Sequence, residues 1–250
     1  MRVLVGNTGL IGKTLKDSMQ FDLEFNSSNM AYFNSSVEDG SDLYLCCLPA
    51  AMWQVNKNLP EDINNLTNVI KNLHGKKYRN IILFSSIEIY NQSPHGSDES
   101  TTPTFNKAIY GSNRYLFEML VKGCLEFDNL KILRLPALFG KHLKKNIFFD
   151  LMNNNEVDRI NTESSYQWYN LGNLADDIKK SYEYDTEELN LFGEPISTSE
   201  IVNNIFHMNI NNDMGYKGQN FKTKFTASGY WSDKKETLDQ MGEFLDENWS

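Results

Sequence analysis

The amino-acid sequence predicts an α/β protein: a parallel sheet with helices on both faces, and a small C-terminal lobe. Three observations predict it. Apolar strand-like runs alternate with helical periodicities over the first 140 residues. A G-x-x-G-x-x-G spacing joins the first strand to the first helix. The composition, 40% hydrophobic and 12% aromatic in 250 residues, is that of a folded chain able to bury a core as one domain or as a domain plus a lobe.

The first strand is Val3, Leu4 and Val5, cut by Gly6. A helix then follows from the period of Leu10, Ile11, Thr14, Leu15 and Met19. Such a turn omits Cβ where backbone approaches a pyrophosphate and where helix packs on strand, and it aims helix N–H groups at the phosphates. Gly6, Asn7, Thr8, Gly9, Leu10, Ile11 and Gly12 are therefore candidate cofactor contacts on a Rossmann-type, doubly wound sheet. The second strand, FDLEFNSSN, ends where that fold carries an acid for the adenosine ribose. Asn26, Ser27, Ser28 and Asn29 stand there, with neither carboxylate nor Arg, so the expected cofactor is NAD or NADP with a lean to NADP. Residues 42–48 make a third strand ending at a Pro-Ala turn. A helical stretch follows, interrupted at Pro60 and resuming over Asp62–Leu73. Two further strands run to Ser85-Ser86 and through 131–140.

Four stretches in order, GNTGLIG, SSIEIY, YGSNRYLFE and RLPALFG, make the chain resemble the extended short-chain dehydrogenase/reductase superfamily, the nucleotide-sugar epimerases, dehydratases and reductases. The resemblance runs from Met1 to about Lys180. It implies that Ser86 orients the reacting oxygen, that Tyr110 moves its proton, and that Leu48, Pro49 and Pro136 line the cofactor together with Tyr110 and the cation four residues on. The family has lysine at that last position and this chain has Arg114. An unperturbed tyrosine titrates near ~10, and a neighbouring cation favours its phenolate. Arg provides that charge but stays protonated and is bulkier than an ammonium. Glu88 occupies the place of a dehydratase base, yet Ile87 stands where some dehydratases carry Asp. Epimerisation or reduction, which need fewer groups, fit the residues better. Taken alone, Tyr110, Phe117, Leu120 and Val121 also read as the apolar face of a helix, with Arg114 snorkelling outward.

Lys141, His142, Lys144 and Lys145 form the densest basic run, and by resemblance they meet a substrate diphosphate. Tyr166, with Gln167 and Trp168, reads either as a pocket wall or as core. Residues 190–206 give a strand, a Pro turn and a helix capped by Ser197 or Thr198. The stretch 209–230 turns polar and glycine-broken and reads as a surface extension. The last helix carries Leu238, Met241, Phe244 and Leu245 on one face. The division expected is a dinucleotide-binding core over about 1–160 and lobe elements over about 161–250.

A net charge of −9 argues against nucleic-acid and anionic-membrane partners. No apolar run approaches the ~20 residues that span a bilayer, and no leader pattern opens the chain, so a cytoplasmic protein is expected. The four histidines are scattered and the three cysteines lack ligand spacing, so no metal is expected. The function expected is an NAD(P)-dependent oxidoreductase or epimerase acting on a nucleotide-activated sugar. The alternative is a catalytically impaired dinucleotide-binding sensor or scaffold on the same fold. The resemblance also implies a homodimer through the tyrosine helix and the helix before it.

Overall fold

The computed structural model describes residues 1–48, 55–56, 58–105 and 109–248. Pro49, one of the expected cofactor contacts, lies outside them. The chain forms two compact units.

The first unit comprises 1–94, 101–134 and 174–189. Its strands are β1 (Arg2–Val5), β2 (Leu23–Phe25), β3 (Asp42–Leu45), β4 (Lys77–Ser86), β5 (Glu126–Leu135) and β9 (Glu188–Asn190), laid side by side in the order β2-β1-β3-β4-β5-β9. Strand β1 pairs in parallel with both β2 and β3, and β3 pairs in parallel with β4. The chain thus turns one way from β1 and then crosses to its other side, which makes the ends of β1 and β3 the switch point where this architecture leaves a crevice. The helices are α1 (Leu10–Ser18), α2 (Phe33–Ser36), α3 (Leu59–Leu73), α4 (Ile109–Cys124) and α6 (Leu174–Ser181). Val3, Val5, Leu43, Leu45, Ile81 and Leu83 bury one sheet face against Leu66 and Leu73 of α3 and Phe117 and Val121 of α4. Pro60 does not interrupt α3. It sits in the first turn, where its missing N–H leaves no bond unmade, behind Asn58, whose side chain accepts from the Glu61 N–H.

The second unit comprises 95–100, 135–173 and 190–250. Here β6 (Ala137–Phe139) pairs in parallel with β8 (Trp168–Asn170), and β7 (Ser165–Tyr166) pairs antiparallel with β10 (Ile196–Ser197). Phe139, Phe148, Trp168, Ile196, Ile201 and Met241 form its core, with α5 (Ile147–Met152), α7 (Thr198–Asn204) and α8 (Lys234–Asn248) packed around it. Ser197 and Glu200 close a capping box at the head of α7.

The boundary therefore differs from the one expected at about residue 160. Pro136, which has no N–H for a ladder, ends β5 and starts a separate short strand, so the lobe begins at 135. Residues 174–189 return to the core unit because β9 extends its sheet beside β5. The stretch 209–230 is also less peripheral than its polarity suggests. The Gln167 side chain accepts from the Phe221 N–H and donates to the Phe221 carbonyl, and Glu99 accepts from Thr223 and from the Lys224 N–H.

Candidate active site

The turn after β1 is shaped by its neighbours. Gly6 adopts φ +101°, and a Cβ there would run into the Cys46 carbonyl at the end of β3; a Cβ on Gly12 would run into the Gly6 carbonyl. These two glycines let α1 and β3 close on the turn. Gly9 answers to neither demand. Its φ is an ordinary −74°, and an added Cβ would meet nothing nearer than 3.5 Å. It N-caps α1 without a side-chain cap, and the first turn of α1 holds no acidic residue. The open N–H groups of that turn and a surface without Cβ at Gly9 fit a pyrophosphate. The residues present thus fit a dinucleotide, with Gly9 to Gly12 as its phosphate cradle.

A carboxylate stands inside β2, before its end. Glu24 accepts from Asn7 Nδ2 at 2.9 Å and from Lys16 Nζ at 2.7 Å. Burial pushes its carboxyl up, but the hydrogen bonds from Lys16 and Asn7 and the Lys16 charge prevail, so it sits below the ordinary value. Asn26 donates to Asn7 Oδ1 and accepts from Ser28, and Asn29 accepts from the Asn26 N–H. Asn26 thus ties the β2 loop to the glycine turn, leaving exposed Ser27 beside it. Glu24 lies within the strand rather than after it, where the spacing of the glycine turn carries no signal for an acid.

Ser86 ends β4 and caps the short 3₁₀ turn Ile87–Tyr90, its Oγ accepting from the Glu88 N–H at 3.2 Å. A Cβ on Gly111 would collide with the Glu88 carbonyl, so α4 lies flush against this turn. Tyr110, one residue earlier, is thereby held beside the turn that carries Ser86 and Glu88. Its backbone N–H donates to Asn56 Oδ1 at 3.1 Å.

Arg114 does not snorkel. It is 4% exposed, and its guanidinium carbon stands 4.4 Å from the centroid of the Tyr110 ring. Residues four apart on a helix share a face, and the planar guanidinium lies over the ring as a cation–π partner. Its charge also reaches Cys47 at the end of β3, where burial nevertheless pushes the thiol up to about 12.

A buried cluster lies behind these groups. Arg134 is fully buried and donates to both oxygens of Glu118, at 3.1 and 2.7 Å, and to the Tyr90 hydroxyl at 2.7 Å. Glu118 also accepts from Ser85 Oγ at 2.5 Å, and Glu188 lies 2.9 Å from Arg134. Burial pulls the Arg134 pKa down, but Glu118 more than compensates and the guanidinium is held firmly charged. Sequence reasoning passed over Glu118 and Arg134; their signal was a charge in an apolar run, in KILRLP and on the buried face of α4.

The expected substrate residues belong to the second unit. Lys141, Lys144 and Lys145 are exposed and His142 is half-buried. Their loop is held in an unusual path, with His142 at φ +68° and Asn146 at φ +118°. Asn146 holds it by accepting from the Phe149 N–H and donating to the Leu138 carbonyl. Tyr166 packs half-buried on the lobe core, while Gln167 and Trp168 belong to the core itself. Pro136 is buried between β5 and β6, and Leu48 is half-buried just beyond β3. Among the described residues no group of three or more His, Cys, Asp or Glu is placed to hold a metal ion.

No protein-family model matches the chain, and no curated protein matches it. Solved structures do. A UDP-glucuronic acid 4-epimerase from Bacillus cereus, solved with a fluorinated UDP-sugar and NAD, superposes with a TM-score of 0.74 at 14% identity over 98% of each chain. The fold is that of this enzyme. A dTDP-4-dehydrorhamnose reductase from Bacillus anthracis, solved with NADP, matches at 0.72 and 17% identity over 99% of each chain. A UDP-N-acetylglucosamine 4-epimerase from Methanobrevibacter ruminantium M1, solved with UDP-N-acetylmuramic acid, matches at 0.72 and 12% identity over 98% of this chain and 96% of the other. The α/β architecture expected from the sequence is present, and these identities carry the fold alone.

Proposed function

We propose that the protein is an NAD(P)-dependent oxidoreductase or epimerase acting on a nucleotide-activated sugar. The observation that carries this reading is Gly9: a helix head without a capping side chain, at a glycine that the protein's own packing does not require. When bound, the nicotinamide supplies the hydride donor or acceptor. The chain's residues do the rest. Ser86 orients the sugar oxygen, Tyr110 gives or takes its proton, and Arg114 stacks over the tyrosine ring and holds it in place. Glu88 stands beside them in the turn as the second acid–base group. The solved neighbours support this reading, since they include a UDP-sugar epimerase solved with NAD and a reductase solved with NADP.

The lean to NADP rests on neutral groups at the β2 end and on Glu24, whose carboxylate is already engaged by Lys16 and Asn7. The same proposal gives a substrate diphosphate to Lys141, His142, Lys144 and Lys145, and makes Tyr166 a wall of the substrate pocket. The same reading includes a cytoplasmic protein, consistent with free Cys46, Cys47 and Cys124. Among the described residues no helix is long and apolar enough to cross a membrane. It also includes a homodimer through α3 and α4, where Met119 is 47% exposed, and no nucleic-acid partner.

The test is titration with NADH and NADPH by energy transfer from tryptophan, followed by incubation with UDP-glucose, UDP-glucuronic acid and a dTDP-4-keto-sugar. Saturable binding with NADPH at least as tight as NADH, and turnover of one sugar, is the expected result. Folded protein that binds neither cofactor overturns the reading. Binding without turnover of any sugar favours the sensor, for which Arg114 in place of lysine is the supporting observation.

A further inference from the structure

Ser85 and Ser86 are adjacent on β4, so their side chains point to opposite sides of the strand. Ser85 donates to Glu118, and Tyr90, at the far end of the turn that begins after Ser86, bonds to Arg134. One ion pair, each partner 1% exposed, thus holds both residues that bracket the Ser86–Ile89 segment. Glu118 stands on α4 eight residues after Tyr110, about 12 Å along the same helix. A bond from Glu118 to Ser85 therefore fixes the end of β4 relative to the helix that bears the tyrosine.

We infer that Glu118, paired with Arg134, is a positioning residue that sets Ser86 against Tyr110 through Ser85 and Tyr90. A buried ion pair is weak as a stabilising device, because apolar groups of similar volume often serve as well. What this pair does that apolar groups cannot is accept from a serine hydroxyl and donate to a phenol at two defined points. With Ser85 held on one side of β4, Ser86 is kept on the other, its Oγ accepting from the Glu88 N–H and its O–H left to donate. The inference rests on the reading of Ser86 and Tyr110 given above.

Removing Glu118 strands a buried guanidinium and threatens the fold, so the test uses Ser85→Ala combined with Tyr90→Phe, which leaves the ion pair in place. Amide hydrogen exchange is measured by NMR on the whole protein. Exchange at Glu88 and Asn91 should rise at least ten-fold, while Ile82–Phe84 of β4 and Phe117–Val121 of α4 stay as in the wild type. Ser85→Thr, which keeps the hydroxyl, should exchange like the wild type throughout. With whichever of UDP-glucose, UDP-glucuronic acid and the dTDP-4-keto-sugar the wild type turns over as probe, kcat of the double variant should fall ten-fold or more at unchanged KM. Unchanged exchange at residues 87–91, or a rise shared equally by β4 and α4, overturns the inference. So does a kcat equal to the wild type. If the wild type turns over none of UDP-glucose, UDP-glucuronic acid and a dTDP-4-keto-sugar, that result counts against the sugar-nucleotide reading, and the exchange pattern alone decides the positioning role.

Discussion

Gly9 and Gly12 stand three residues apart and answer to different demands, which single substitutions separate. Gly12→Ala forces a methyl into the Gly6 carbonyl. Overpacking of this kind costs about 1–3 kcal/mol, so its urea midpoint should fall whether or not cofactor is present. Gly9→Ala meets only ordinary contacts and should stay within about 1 kcal/mol of the wild type. Its effect should appear in the titration instead, as NAD(P)H affinity at least ten-fold weaker, or about 1.4 kcal/mol. Equal affinity in Gly9→Ala would remove the pyrophosphate from this turn. Two substitutions at the tyrosine complete the residue scale. Tyr110→Phe keeps the ring beneath Arg114 but has no proton to move, so turnover should vanish while cofactor affinity holds. Arg114→Lys loses the planar stack, a contact of about 0.5–2 kcal/mol, and restores a compact ammonium. We expect turnover about ten-fold faster in a slightly less stable protein; an unchanged rate would mean that Arg114 is a structural group only.

Between elements, the largest consequence falls on the contact of α4 with β4 and β5. Breaking a buried pair leaves an uncompensated charge, typically about 3–5 kcal/mol. Glu118→Ala should therefore lower stability by that amount in chemical denaturation, and a loss under about 1 kcal/mol would show that Arg134 readily finds another partner. This contact marks where the sequence was legible and where it was not. Strand alternation and glycine spacing depend on neighbours near in the chain, and they forecast β1, α1, β3 and the Ser86 turn well. The contact between Tyr110 and Arg114 was legible because the two residues are one helical turn apart. Glu118, Arg134 and Glu188 come together only through sheet order, since β5 lies between β4 and β9. Charges in apolar runs signalled burial without naming the partner. Likewise, nothing local to residues 174–189 says that β9 rejoins the sheet beside β5.

For the whole molecule, two electrostatic effects oppose each other as pH falls. The net charge of −9 repels itself, and protonation from neutral pH downward relieves that repulsion. Against this stand four carboxyls held below their ordinary values. Burial pushes each of them up, but Lys16 and Asn7 outweigh it at Glu24, Arg79 and Asn80 at Asp42, Arg134 and Lys122 at Glu188, and the Ser197 cap with Lys234 at Glu200. A depressed folded-state pKa means that the unfolded chain binds protons more readily in acid. The stability these groups contribute is therefore complete above the unfolded carboxylate range, about pH 5, and is lost as pH falls through the lower folded values. Thermal melts from pH 8 to pH 3 should hold level or rise slightly down to about pH 5, then fall steeply. Salt separates the two effects, because exposed charges are screened while the partly buried pair of Glu188 with Arg134 is screened less. At 0.5 M NaCl the rise from pH 7 to pH 5 should flatten and the acid loss should remain. A melting temperature that kept climbing below pH 4 would show that self-repulsion, not these carboxylate pairs, governs the acid stability of the fold.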